Sequence, residues 1–259
     1  MARHRRWDAG LVGVAVTSLL VLTGCGSGGR PHLNALPPPD QPATTLAPPV
    51  TAPTTTVPAT PTYTVATATG KSVAVYGAPG QAEPSRSLPS PQPDGSTLVL
   101  LAEERQGDWL NVLLPVRPNG VTGWIRASDV TTITHDYRIE VEVSAHKLTV
   151  WKGNDVFFED TVAVGAAATP TALGSFYTTG LFDTGSTQPV YGPYAYPLSG
   201  YSEVLFSFGS GDGQMGIHGT NDPSSLGRSV SNGCIRMSNA GITKLAKTLP
   251  VGVPVEVKA

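Results

Sequence analysis

Short apolar runs separated by turn residues fill the chain from about residue 63 onward. Ser72–Tyr76, Thr97–Leu101, Trp109–Leu114 and Gly123–Arg126 have the length of strands rather than helices. Pro118-Asn119-Gly120, between the last two runs, predicts a tight hairpin because Asn-Gly accepts positive φ. Farther on, Arg138–Val143 and His146–Trp151 alternate with period two. Gly153-Asn154 then separates Trp151 from the strand-like Val156–Val164, so a meander is expected. Only Ala240–Leu249 has helical spacing, with Ile242, Leu245, Ala246 and Leu249 on one face and Ser238 or Asn239 as its N-cap. The reading is mostly β with one short helix.

Composition sharpens that picture. Glycine (29) and proline (24) make up about a fifth of the 259 residues, and only 14% are charged. This excludes a helical bundle or coiled coil. A formal net charge of −2 leaves no electrostatic footprint for nucleic acid. Two cysteines cannot build a disulfide scaffold.

The first residues read as an address. Arg3, Arg5 and Arg6 precede the apolar stretch Leu11–Leu22, which is too short to span a bilayer and ends in small residues. Leu22-Thr23-Gly24-Cys25 resembles the bacterial lipobox, which implies cleavage after residue 24 and a diacylglycerol on the Cys25 thiol. Residues 1–24 are thus expected to be a lipoprotein signal peptide, and its loss takes the formal charge from −2 to −4. The expected location is the cell envelope, lipid-anchored on the outer face of the cytoplasmic membrane, in periplasm or cell wall. Residues 25–62 follow as a linker: Pro31 to Pro61 holds 10 prolines and 7 threonines with a single charge, Asp40. Such a segment cannot bury a core and favours extended polyproline II, reaching about 100 Å.

Residues 63–131, with Gly107-Asp108-Trp109-Leu-Asn-Val112 and Gly123-Trp124-Ile125 followed by Asp129-Val130, resemble a bacterial SH3-like domain. The resemblance implies a small barrel. Trp109 and Trp124 are expected in its core, with wall peptide or glycan as the ligand class if it binds one.

Chemistry concentrates in residues 132–259. Beyond the lipobox cysteine the chain has one other thiol, Cys234, in Ser231-Asn232-Gly233-Cys234-Ile235-Arg236-Met237. His218 stands sixteen residues upstream in Gly216-Ile217-His218-Gly219-Thr220. A thiol is a poor nucleophile until deprotonated, and an imidazole within hydrogen-bond reach supplies the base. Other histidines read as bystanders: His32 lies in the linker, and His135 and His146 are expected at the surface. No Cys-x-x-Cys or His-x-x-x-His pair is present, so neither metal nor other cofactor is expected. Tyr191, Tyr194, Tyr196 and Tyr201 lie in a Gly/Pro-rich loop before His218, most of them read as core or turn packing and one or two as a lid over the thiol.

The wider string, Ile217-His-Gly-Thr-Asn-Asp-Pro223, Leu226-Gly227, Ser231-Asn-Gly-Cys-Ile-Arg-Met237 and Asn239, resembles the signature of YkuD-type L,D-transpeptidases. Val164-Gly165, Thr169-Pro170-Thr171 and Gly174-Ser175-Phe176 upstream, and Leu249–Val255 downstream, extend it over about residues 137–257. That resemblance implies a β-sandwich catalytic domain in which Cys234 is the nucleophile and His218 the general base. Gly219 would orient the imidazole through its carbonyl, and the N–H groups of Gly233 and Cys234 would form the oxyanion hole. Arg236 would hold the loop or a substrate carboxylate, with Tyr191 and Tyr201 as further substrate-binding candidates. Asn232 stands where many members have histidine.

The reaction implied is cross-linking of peptidoglycan stem peptides through a cysteine thioester, with carbapenems as acylating inhibitors. Two rivals remain: a carboxypeptidase in which water resolves the thioester, and a non-catalytic wall-binding lipoprotein.

Overall fold

The computed structural model describes residues 59–185, 189–207 and 211–259, all within one compact unit, Thr56–Ala259. Cys25, the signal segment and nearly all of the linker lie outside the described residues. Seven strands come first: β1 Tyr63–Ala68, β2 Ser72–Val75, β3 Arg86–Pro89, β4 Val99–Gln106, β5 Trp109–Leu113, β6 Thr122–Arg126 and β7 Val130–His135. β1, β4, β5, β6 and β7 form an antiparallel sheet in the order β6-β5-β4-β1-β7, and β2 pairs with β3 as a separate hairpin.

Alternation decides which face each side chain takes. Leu98, Leu100, Leu110, Val112, Leu114 and Ile125 pack with Val73 and Val75 into one buried cluster. The intervening Leu101 and Leu113 leave by the other face, where they meet Tyr177 and Tyr63. The continuous run Val99-Leu100-Leu101 therefore reflects a strand covered on both sides.

Three expectations change here. Pro118-Asn119-Gly120 does not form a two-residue hairpin, because Leu114 N–H bonds to the Val121 carbonyl and a longer loop intervenes; Gly120 still supplies φ +80°. Trp109 and Trp124 are half-buried rather than core, since the aliphatic side chains fill the interior. Trp109 instead packs edge-on to Tyr76, with Arg126 over its ring. The boundary at 131/132 falls inside β7, which continues to His135 because it pairs along the whole of β1.

Eleven strands follow among the described residues: β8 Tyr137–Glu142, β9 Lys147–Lys152, β10 Asp155–Thr161, β11 Val164–Gly165, β12 Gly174–Tyr177, β13 Phe182–Asp183, β14 Tyr194–Tyr201, β15 Gln214–His218, β16 Ser229–Ser231, β17 Ile235–Arg236 and β18 Pro254–Lys258. The single α-helix described, α1, runs from Asn239 to Thr248. One sheet has the order β10-β9-β8-β18-β12 and another β13-β14-β15-β17, with β11 and β16 as a parallel pair. The expected meander is present, β9 turning into β10 through Gly153 at φ +57° and Asn154. The Gly/Pro-rich stretch expected to be a loop holds strand β14.

Both sheets and the helix share one core. Ile139, Val141, Leu148 and Val150 of the first sheet meet Leu198, Met215, Ile217 and Ile235 of the second, and Ile242 and Leu245 close it from α1. Ser238 caps the helix by accepting from Gly241 N–H at 3.0 Å. Asp160 of β10 in turn accepts from the Ser238 N–H and hydroxyl, at 3.1 and 2.7 Å, so the helix start is tied to the sheet.

His135 and His146, expected at the surface, are half-buried. The His135 ring lies between those of Tyr63 and Tyr137, and burial lowers its pKa. His146 Nε2 lies 2.9 Å from the Ser229 hydroxyl.

The two strand regions are joined through buried contacts. Tyr177 is fully buried and donates its hydroxyl to the Val99 carbonyl at 3.0 Å. Gly252 sits at φ +93°, and a Cβ there would lie 2.4 Å from Val65 Cγ1. Tyr177→Phe would keep the ring but leave the Val99 carbonyl without this donor, and should cost about 1–3 kcal/mol. A chemical-denaturation midpoint equal to that of the unmutated protein would show that this bond contributes nothing.

Candidate active site

The site is built on two adjacent parallel strands. β15 and β17 pair with Ile217 opposite Ile235 and His218 opposite Arg236. Ile217 and Ile235 are both fully buried in the shared core. Side chains alternate along a strand, so His218, Arg236 and Cys234 belong to the opposite face. The core contact of two isoleucines thus sets the side on which thiol and imidazole stand. Ala163 and Arg236 exchange backbone hydrogen bonds at 2.8 and 2.9 Å, and Met237 N–H bonds to the His218 carbonyl. The ends of both strands are therefore fixed.

Cys234 and His218 line two common cavities. The smaller, about 370 Å³, also has Asp94, Phe182, Tyr191 and Tyr196 in its walls. A larger one, about 500 Å³, adds Val190, Leu205, Asp212, Asn232 and Arg236.

His218 is buried, and its Nδ1 lies 2.6 Å from the Gly219 carbonyl. A carbonyl only accepts, so Nδ1 carries the proton and Nε2 is the basic nitrogen of the neutral ring. Tyr191 packs edge-on to the imidazole, ring centres 4.8 Å apart. Glycine permits this approach: a Cβ on Gly219 would stand 2.3 Å from Asn239 Oδ1, and one on Gly192 would be 2.7 Å from Gly219 Cα. Asn239 Oδ1 accepts from Thr220 N–H at 2.8 Å, tying the loop after His218 to the first residue of α1.

Burial dominates both titrations. It pushes the His218 imidazole down to about 4, with Arg236 adding to the shift and the Gly219 bond opposing it. It pushes the Cys234 thiol up, while a hydrogen bond from Gly216 and the charge of Arg236 pull it back. Burial thus acts against charge on either group. Sequence reasoning missed Gly216, because its contribution is a backbone N–H that no residue type announces.

Other candidates fall into place unevenly. Arg236 lines the larger cavity, with Nε buried and lacking a hydrogen-bond partner. Gly233 adopts φ +109°, which glycine favours, but its N–H is engaged with Ser231 Oγ at 3.1 Å. Ser231 Oγ in turn bonds the Cys234 carbonyl at 2.6 Å. Gly233 thus forms the turn, with its N–H committed to Ser231 rather than turned to an oxyanion. Tyr201 is absent from the walls of both thiol cavities; its hydroxyl donates to the Pro115 carbonyl at 3.1 Å, which turns it toward the first strand region. Tyr196 is buried with its hydroxyl unpartnered. No cluster of three or more metal-ligating side chains occurs among the described residues.

The model of the YkuD L,D-transpeptidase catalytic domain matches residues 136–257. The Bacillus subtilis protein bearing the name L,D-transpeptidase YkuD is 31% identical over 177 residues, covering 61% of this chain and 99% of that protein. Its Bacillus licheniformis namesake is 35% identical over 126 residues, covering 48% of this chain and 67% of the relative. Among solved structures, the catalytic domain of the Enterococcus faecium L,D-transpeptidase acylated by ertapenem is 24% identical, with a TM-score of 0.37, over 48% of this chain and 98% of that one. The chain belongs to the YkuD family of L,D-transpeptidases. It is an acyltransferase of that class.

Burial of His218 has a consequence for stability. The unfolded chain takes up this proton near 6.5 and the folded chain only near 4, so between these values the unfolded state binds more protons. Stability contributed by the neutral ring is complete above that window. It falls as pH drops through the window, by roughly 3 kcal/mol from this residue. Denaturation midpoints followed across that range should decline less steeply in His218→Gln. Equal slopes in the two proteins would refute the assignment.

Proposed function

We propose that this L,D-transpeptidase joins peptidoglycan stem peptides through a thioester on Cys234. The observation that carries the reading is the cavity face shared by Cys234 and His218, with Nδ1 engaged by the Gly219 carbonyl and Nε2 left as the base. His218 Nε2 takes the thiol proton as sulfur attacks the carbonyl of the third stem residue. The Cys234 N–H faces the developing oxyanion. Collapse breaks the peptide bond, and the imidazolium returns its proton to the departing D-alanine amine. A side-chain amine of a neighbouring stem then attacks the thioester, His218 accepts its proton, and the Cys234 thiolate leaves as a 3→3 cross-link forms. Arg236 is the group in the larger cavity suited to a substrate carboxylate.

A carbapenem should add its mass once per chain, on the peptide containing Cys234, and Cys234→Ser should remove the adduct. His218→Ala should slow acylation by about 10²- to 10⁴-fold. An adduct mapped to a serine, or an undiminished rate without the imidazole, would overturn the Cys234–His218 reading. With a disaccharide-tetrapeptide, dimer is the expected product, whereas tripeptide alone would mark a carboxypeptidase.

The five-stranded sheet and the β2–β3 hairpin support reading the first region as an SH3-like module. Leu22-Thr23-Gly24-Cys25 supports export and lipidation at Cys25, with the Pro/Thr segment as a spacer from the membrane. Cys25→Ala should release the protein from the membrane fraction or block its processing. Unchanged partition together with unchanged gel mobility would rule out the anchor.

A further inference from the structure

The loop between β5 and β6 reaches across to the catalytic region through one guanidinium. Arg117 Nη1 donates to the Ser202 carbonyl at 2.6 Å, and Nη2 donates to the Leu205 and Asp212 carbonyls at 3.0 and 2.9 Å. Its carbon lies 4.9 Å from the centre of the Tyr201 ring and 4.7 Å from that of Phe206. All three acceptors are backbone carbonyls. The contact therefore fixes a chain trace rather than neutralising a charge.

Two neighbours add to the grip. Asn119 Nδ2 donates to the Tyr201 carbonyl at 2.8 Å, and its Oδ1 accepts from Tyr201 N–H at 2.9 Å, as a strand partner would. The Tyr201 hydroxyl bonds back to Pro115. Ser202 N–H meets the Gly213 carbonyl at 2.8 Å, so the two arms gripped by Arg117 lie side by side. The packing is close: a Cβ on Gly213, at φ +83°, would come within 2.0 Å of the Leu205 carbonyl oxygen and 3.0 Å of Arg117 Nη2.

Those arms are walls of the site. Leu205, Asp212 and Gly213 line the larger cavity that contains Cys234, His218 and Arg236. Ser202 is buried, but beyond it the first arm turns outward, with Val204 49% and Phe206 70% exposed, so its apolar side chains do little to hold it. A planar fork with five donors holds three carbonyls at once, which an ammonium on a flexible stem does less well.

We infer that Arg117 is a positioning residue for acyl transfer: the first strand region completes the substrate cavity by holding the Ser202–Leu205 and Asp212–Gly213 arms in place. This rests on the Cys234 reading proposed above. It supplies no reacting group, so it should affect large acyl donors and leave the intrinsic reactivity of the thiol alone.

The test compares two reagents on the full chain, with modification mapped to the Cys234 peptide: a carbapenem as the bulky acyl donor and iodoacetamide as a small probe of the thiol. In Arg117→Ala the carbapenem rate should fall by about ten- to a hundredfold, with a raised half-saturating concentration, because a displaced wall misplaces the donor. Iodoacetamide should react within about twofold of the unmutated rate, and Arg117→Lys should fall between. Asn119→Ala, which leaves the guanidinium in place, should show the same split in smaller measure. An unchanged carbapenem rate in Arg117→Ala would overturn the inference. So would a parallel loss of both rates, in Arg117→Ala and Asn119→Ala alike, that tracks the unfolded fraction. Failure of the unmutated protein to form any adduct on Cys234 would instead defeat the nucleophile assignment, a separate result.

Discussion

Two isoleucines hold this site together. Ile217 and Ile235 face each other across a parallel strand pair, fully buried in the core shared by two sheets and a helix. With their side chains committed inward, alternation places His218, Cys234 and Arg236 on the other face. The pairing is only two residues long in β17, and it is supported on the far side by the backbone exchange between Arg236 and Ala163. A slip of one residue would turn the thiol into the apolar core and isoleucine out of it, and the loss of apolar burial opposes it. The register of the chemistry is thus enforced by the hydrophobic effect.

The electrostatics of that face follow from its depth. Burial disfavours charge on both side chains, so it lowers the His218 imidazole and raises the Cys234 thiol. Gly216 and Arg236 act against burial at the sulfur, one by a hydrogen bond and one by charge.

Position is supplied from farther away. Tyr177, at the end of β12, joins the β10-β9-β8-β18-β12 sheet to the apolar second face of the β6-β5-β4-β1-β7 sheet, and Gly252 lets Val65 approach closely. Beside this apolar contact lies a polar one, the bonds of Asn119 to the end of β14 and of Arg117 to the chain that follows it. Apolar burial is non-directional and sets the regions side by side, whereas the guanidinium and amide set the geometry of particular carbonyls.

The sequence by itself determined the strand-rich character, the lone helix with Ser238 at its cap, the β9–β10 turn, and the residues around Cys234 and His218 that mark the family. These are local properties: period, turn chemistry and a motif whose residue types are individually required. Tertiary structure decided what depends on distant partners. Trp109 and Trp124 are apolar enough for a core, yet smaller aliphatic side chains occupy it. Tyr201 carries the same ring as Tyr191, but only Tyr191 lies against His218, because Tyr201 is bonded to a loop more than eighty residues away in the chain. Gly233 has the turn conformation its motif suggests, while the use of its N–H depended on where the Ser231 hydroxyl came to rest. Arg117 carried no signal at all, since a surface arginine and one that grips three backbone carbonyls look the same until the carbonyls are brought to it.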